Sequence, residues 1–279
     1  MSDLGINNQK TVSNLFNKDG TSYKVFGDCP PTLIFIHGVG MCGEIWAPQV
    51  EYFFKKYQVI TYDFLGHGQS PLPKNDPTLD DYVEQLNNLV DSIGVSNFSL
   101  VGHSMGAIIS VAFARKFPLK VNALVALNIV FNRSEKTQKD VLLRANQVLE
   151  SNKILNIEKT LERWFKNNIS SAELNKIDKV RNWLKNTSPK GYGEAYRLFA
   201  LSDKVFINNL YQLKLPVLYL TGNEDPNSTP LMSKQISQET PNGSSKSVKG
   251  EAHMMSYIAA NKVNPIIEQF FTEITNNTE

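Results

Sequence analysis

The chain has 279 residues, 41% of them hydrophobic, which suits one large α/β domain or a core domain with an insertion. Its 29 Lys and Arg residues against 27 Asp and Glu residues leave a net charge of only +2. This balance gives no long-range field for a polyanion, and no run approaches the about 18 apolar residues that cross a bilayer. We therefore expect neither a nucleic-acid nor a membrane partner.

The first ten residues, MSDLGINNQK, are polar and lack the basic start and apolar stretch of a secretory signal. Cys29 and Cys42 flank a predicted strand, which separates their Cα atoms by roughly 17 Å, too far for a disulfide. These features favour a soluble, cytoplasmic protein with free thiols. The sequence does not predict an oligomeric state.

Apolar, β-branched runs predict five strands. They lie at 32–36 (TLIFI), 57–63 (YQVITYD), 98–102 (FSLVG), 123–130 (ALVALNIV) and 216–222 (PVLYLTG). Because such runs are apolar on both faces, they are typical of a mostly parallel sheet that is buried between helices.

Helices are predicted between and after these strands. Apolar residues recur at steps of three and four over 78–93, where Thr78 and Asp81 form a capping-box-like start. Further helices are expected at 105–116, which ends before Pro118, and at 263–274. Strand and helix therefore alternate, which predicts an α/β fold.

Residues 131–213 break this alternation. They are rich in Lys, Asn and Glu, are helical in pattern and contain no convincing strand. We expect a helical insertion there, between core segments at 1–130 and 214–279.

The motif Gly102-His103-Ser104-Met105-Gly106 lies between a predicted strand and a predicted helix. A serine on such a turn is held in a strained backbone that presents its hydroxyl above the sheet, and the flanking glycines allow close packing of strand and helix. Ser104 is therefore the candidate nucleophile.

A hydroxyl needs a base to remove its proton. Where a serine occupies a turn of this kind, the acid and then the histidine follow it along the chain. Of the four histidines only His253 lies beyond Ser104, so His253 is the candidate base.

The orienting acid must then lie between Ser104 and His253, at the end of a strand. After the strand at 123–130 the nearby residue is Asn128, which carries no charge. After the strand at 216–222 come Glu224 and Asp225, and both stay open, with Asp203 as an outside candidate.

A tetrahedral intermediate needs two N–H donors for its oxyanion. The backbone amide of Met105, directly after the serine, supplies one, and the amide of Val39 in the His37-Gly38-Val39-Gly40 turn is the natural second. No C-x-x-C, H-E-x-x-H or phosphate-binding glycine motif is present, so we expect no metal and no nucleotide cofactor.

Together these motifs identify the chain as resembling the α/β-hydrolase family over almost its whole length. The matching segments are HGVG, DFLGHGQS, GHSMG, GNEDPNSTP and GEAHMM. Within the family the pattern is similar to small esterases and lactonases, among them 3-oxoadipate enol-lactonases, carbon–carbon hydrolases of meta-cleavage pathways and aminoacrylate hydrolases. The segments 163–165 and 189–203 are similar to the enol-lactonase cap.

The resemblance implies a mostly parallel eight-stranded sheet flanked by helices, with a helical cap and no cofactor. It prefers Asp225 over Glu224, since the family acid occupies this place in a G-x-x-D turn. We expect the substrate to contact five residues of the loop and the cap: His37, Gly38, Met41, Trp164 and Tyr196.

The expected reaction is hydrolysis of a small carboxylic ester or lactone through an acyl-enzyme. Three alternatives stay open: carbon–carbon hydrolysis of a diketone by the same groups, a non-catalytic ligand receptor, and cofactor-free perhydrolysis.

Overall fold

A computed structural model describes residues 13–165, 170–202 and 204–276, and one eight-stranded sheet organises them. Its strands are β1 (Leu15–Phe16), β2 (Ser22–Phe26), β3 (Thr32–Ile36), β4 (Gln58–Tyr62), β5 (Phe98–His103), β6 (Val121–Leu127), β7 (Val217–Gly222) and β8 (Gly243–Val248). Their order across the sheet is β1-β2-β4-β3-β5-β6-β7-β8. The strands β3 to β8 pair in parallel, whereas β1 and β2 pair antiparallel at one edge.

The buried strands match the apolar runs of the sequence. The strand at 32–36 has the predicted bounds, and the other four differ by one to three residues at an end. Three strands were not predicted, and each lies at or near an edge of the sheet. The strand β8 (GSSKSV) is the clearest case, since most of its residues are exposed and it carries no apolar run.

Ten α-helices cover the sheet and its carboxyl edge in the described part of the chain. They are α1 (Ala47–Phe53), α2 (Leu79–Ile93), α3 (Met105–Lys116), α4 (Glu135–Ser151), α5 (Ile157–Trp164), α6 (Ser171–Asn186), α7 (Pro189–Ser202), α8 (Pro230–Glu239), α9 (Met255–Ile258) and α10 (Ala260–Asn276). None of these described helices is long and apolar enough to span a membrane.

The ends of the helix α2 lie at capping residues of the sequence. A capping box of Thr78 and Asp81 starts α2, and Gly94 in the left-handed region ends it. The last helix, α10, starts three residues earlier than predicted, at Ala260, so Pro265 lies inside it and not in its first turn.

The helices α4 to α7 lie between β6 and β7, within the segment predicted as a cap. The helix α7 contacts the core closely: a Cβ on Gly191 would collide with the carbonyl oxygen of Gly66. That the segment 131–213 acts as a separate domain stays a prediction.

Close packing of α3 on the sheet gives a test of the fold. A Cβ on Gly106 would collide with the backbone carbonyls of Ile36 and His37, so Gly106→Ala should lower the free energy of unfolding by about 3 kcal/mol. Gly94→Ala is the control, because open space surrounds Gly94 and only its left-handed backbone costs about 1 kcal/mol. Urea unfolding measures both, and equal losses would contradict this packing.

Candidate active site

The candidate residues come from neighbouring strand ends. Ser104 follows β5, Asp225 follows β7, and His253 lies in the loop after β8. Since these strands are parallel, their carboxyl ends lie at one edge of the sheet, as expected of a site in an open α/β sheet.

Ser104 occupies a strained turn. Its φ of 56° and ψ of −116° lie outside the regions that most residues adopt, and its backbone N–H donates to the carbonyl of Leu127. A Cβ on Gly102 would collide with the carbonyl of Gly106, so both glycines are needed for the turn to close. The turn places Ser104 at the N-terminus of α3.

His253 and Asp225 form a buried pair. The Nδ1 atom of His253 lies 2.7 Å from Oδ2 of Asp225, and the two residues are 3% and 2% exposed. With a proton on Nδ1 that is donated to the carboxylate, the Nε2 lone pair of His253 is left to act as a base. Burial raises the pKa of Asp225, but the charge of His253 and hydrogen bonds from His253, Asn128 and Asn227 outweigh it and hold this pKa below its usual range.

The turn after β7 distinguishes the candidate acids. A Cβ on Gly222 would collide with the carbonyl of Glu251, so the glycine lets this turn approach the loop that carries His253. Glu224 is exposed and donates its backbone N–H to that same carbonyl, whereas Asp225 bonds to His253. Asp203, the third candidate, lies outside the described residues.

The backbone N–H groups of Val39 and Met105 are the predicted oxyanion donors. The loop after β3 lies against the serine, because a Cβ on Gly38 would be only 3.2 Å from Cβ of Ser104. Among the hydrogen bonds of the described residues, none uses the backbone N–H of Val39 or Met105. Both donors are therefore available, and their role in catalysis stays a prediction.

The other three histidines are structural. Burial lowers the pKa of His37, His67 and His103 to about 3 each, so they are neutral. His67 accepts from the N–H of Gly40 at 2.9 Å, and Nε2 of His103 lies 2.9 Å from the carbonyl of His253. They thus hold the loop at Gly40 and the loop at His253 in place, a role that the sequence did not reveal.

His37, which is predicted to contact the substrate, lies in the core and does not line the cavity at Ser104. Its ring is fully buried and stacks on Phe64 with ring centroids 4.1 Å apart. Its Nδ1 lies 2.8 Å from the carbonyl of Gly38, and its Nε2 accepts from the N–H of Phe64. Both ring nitrogens are occupied inside the core.

A cavity of about 170 Å³ opens at Ser104 and His253. The other predicted substrate contacts all line it: Gly38, Met41, Trp164 and Tyr196. The Trp164 ring lies 5.9 Å from the His253 ring, centroid to centroid. A second cavity of about 230 Å³ shares Met41 but is lined by neither Ser104 nor His253.

Three arginines also line this cavity, and no sequence motif marks them. Arg133 donates to the carbonyls of Phe199 and Ala200, and Nε of Arg144 donates to the Tyr196 hydroxyl at 3.2 Å. Arg163 lies beside Trp164 on α5. Among the described lining residues there is no Asp or Glu.

Metal chemistry finds no support in the described part of the chain. No group of three or more His, Cys, Asp or Glu side chains there is placed to hold a metal ion. The expectation that the protein needs no cofactor stays a prediction.

Comparison with known proteins shows the family. The model for the alpha/beta hydrolase fold matches residues 31–260, and the chain therefore belongs to the α/β-hydrolase family. The (E)-2-((N-methylformamido)methylene)succinate hydrolase of Acinetobacter baylyi is 36% identical over 256 residues, 91% of this chain and 95% of that protein. The 3-oxoadipate enol-lactonase 2 of the same organism is 28% identical over 209 residues, 75% and 77% of the two chains.

Solved structures show the same fold. The enol-lactonase of Burkholderia xenovorans LB400 superposes with a TM-score of 0.81 at 21% identity, covering 93% of this chain and all (100%) of the other. These findings confirm the predicted fold and the resemblance to hydrolases with enol-lactonase relatives.

The choice between Asp225 and Glu224 is testable. Asp225→Asn should lower kcat for a short nitrophenyl ester on the order of ten-thousandfold, because the amide no longer holds the imidazole in the required tautomer. Glu224→Gln is the matched control and should leave kcat within about twofold, since Glu224 is exposed. Measuring kcat of both variants decides between the two acids. A greater loss of kcat in Glu224→Gln would assign the role to Glu224.

Proposed function

We propose that this hydrolase cleaves a small ester or lactone that carries a carboxylate, through an acyl-enzyme on Ser104. The observation that carries the proposal is the composition of one cavity. It joins Ser104 and the His253–Asp225 pair to a lining with three arginines and no described acidic side chain.

In the first half of the reaction, Nε2 of His253 takes the Ser104 hydroxyl proton and the oxygen attacks the substrate carbonyl. The oxyanion that forms is stabilised by the N–H groups of Val39 and Met105. Asp225 stabilises the imidazolium, and its low pKa keeps it ionised for this purpose. The imidazolium then protonates the leaving alkoxide, which leaves the acyl group on Ser104.

In the second half, a water molecule replaces the alcohol. His253 removes its proton while the water attacks the acyl carbonyl, and the same two N–H groups hold the second oxyanion. The imidazolium returns its proton to the Ser104 oxygen, which frees the carboxylic acid. In a lactone the leaving alkoxide and the acyl group belong to one molecule, so a single product results.

The arginines define the substrate class. A carboxylate that leaves water for a cavity of about 170 Å³ needs a charged partner, and a guanidinium is suited to bind it through two hydrogen bonds. Arg133 already donates to the backbone of α7, whereas Arg144 and Arg163 form no ion pair with any described acidic residue. We assign substrate binding to these two.

The relatives support this class. The names of the two Acinetobacter baylyi enzymes contain succinate and 3-oxoadipate, which are both dicarboxylates. A size limit follows as well, since the cavity suits a small molecule and not a long acyl chain.

A second candidate reaction uses the same residues. The 36% identical relative is named for a succinate that carries an N-methylformamido group, which favours an amide-bearing substrate. The attack by Ser104 on the carbonyl and the oxyanion site would be unchanged, but His253 would protonate a nitrogen leaving group. Carbon–carbon hydrolysis would require protonation at carbon instead.

Charge selectivity is the direct test of the substrate class. Arg144→Met and Arg163→Met should each lower kcat/KM for a succinate monoester about ten- to a hundredfold, the contribution of one charged hydrogen bond. The same variants should change kcat/KM for a neutral acetate ester little. Arg181→Met is the control, because Arg181 pairs with Glu158 outside the cavity.

The panel for these variants includes a lactone, a succinate monoester, a formamide and a vinylogous diketone. Fastest turnover of the ester or the lactone is expected. Equal losses of kcat/KM on anionic and neutral esters would contradict the role of the arginines. Faster turnover of the formamide or the diketone would mean that the same site catalyses a different reaction.

A further inference from the structure

We infer that Asn128, directly after β6, is a positioning residue that fixes the carboxylate of Asp225 toward His253. The inference rests on the proposed Ser104, His253 and Asp225 mechanism. Asn128 does not contact the reacting atoms; it follows β6, which is the neighbour in the sheet of β7, the strand before Asp225.

The side chain of Asn128 bonds to the carboxylate oxygen of Asp225 that also bonds to His253. Its Nδ2 donates to Oδ2 of Asp225 at 2.8 Å, and this same oxygen accepts from Nδ1 of His253 at 2.7 Å. The other oxygen, Oδ1, accepts from the backbone N–H of Asn227 at 2.8 Å. Three donors thus fix the carboxylate in its plane, and one of them is a side chain from another strand.

Asn128 is itself held rigidly. Its backbone N–H donates to the carbonyl of Leu220 at 2.9 Å, and its carbonyl accepts from the Ser228 hydroxyl at 2.6 Å. Thr221 donates to the carbonyl of Ser228 at 2.6 Å. Asn128, Thr221 and Ser228 are all 0% exposed, so this clamp ties the end of β6 to both ends of the turn that carries Asp225.

The choice of asparagine satisfies two constraints at once. Its φ of 52° lies in the left-handed region, which glycine, asparagine and aspartate tolerate best. Glycine would offer no donor. Aspartate would put a second carboxylate against Asp225, and two such groups cannot both ionise readily. Asparagine alone of the three supplies a neutral donor.

The test uses the pH dependence of Ser104 phosphonylation by a fluorophosphonate probe, which needs no knowledge of the substrate. Asn128→Gly removes the donor without straining the backbone, and Asn128→Asp keeps the shape but adds charge. Tyr219→Phe is the matched control, because it removes a buried hydrogen bond to Thr240 that lies outside the clamp and does not reach Asp225.

Asn128→Gly should lower the phosphonylation rate about ten- to a hundredfold. It should also move the acid limb of the profile to higher pH. The sign follows because a carboxylate with one donor fewer is less stable when ionised, so the Asp225–His253 pair takes up its proton at higher pH. Asn128→Asp should move the limb further, whereas Tyr219→Phe should lower only the melting temperature.

Acid limbs of Asn128→Gly and Asn128→Asp that coincide with that of the unaltered protein would overturn the inference, and Asn128 would then be structural. Asn128→Asp retains the side-chain shape, so its acid limb still tests the inference if Asn128→Gly does not fold. A different failure, no label on Ser104 of the unaltered protein, would contradict the proposed function itself.

Discussion

The buried hydrogen bond from His253 to Asp225 is the interaction on which the site depends. It joins two loops that follow different strands, and it forms because Gly222 lets their backbones touch. A buried carboxylate is costly unless hydrogen bonds and a counter-charge compensate it, and here Asn128 and the turn of Asp225 supply the remaining donors. The local fold around this pair therefore serves mainly to keep one carboxylate ionised and oriented.

The small net charge of the chain contrasts with the cluster of arginines at its cavity. The chain carries a net charge of +2, and most of its ion pairs lie at the surface, where each contributes little. Three arginines nevertheless line one small cavity that has no described acidic side chain. Overall composition thus conceals the feature on which the proposed substrate class rests, because the arginines come from separate positions on the helical segment and meet only in the folded protein.

Much of the fold could be predicted from the sequence, because central parallel strands are apolar on both faces and read as continuous runs. Edge strands such as β8 have no such run and were missed. The turn at Ser104 and the chain order of Ser104 and His253 are local signals, and they led to residues that the structure brings together. Asn128 carries no charge, yet its amide bonds to Asp225, and His37 is buried in the core although its motif predicts a substrate contact. Such roles depend on contacts between strands that are distant in sequence.

The most direct measurement is the mass of the Ser104 peptide during turnover. A succinate monoester is mixed with the enzyme, the reaction is quenched with acid within milliseconds to seconds, and the digest is analysed by mass spectrometry. The account predicts a succinyl group on Ser104 that appears before the product reaches steady state and is absent from Ser104→Ala. Product formation with no acyl group on Ser104 at any time, or an acyl group on another residue, would contradict it.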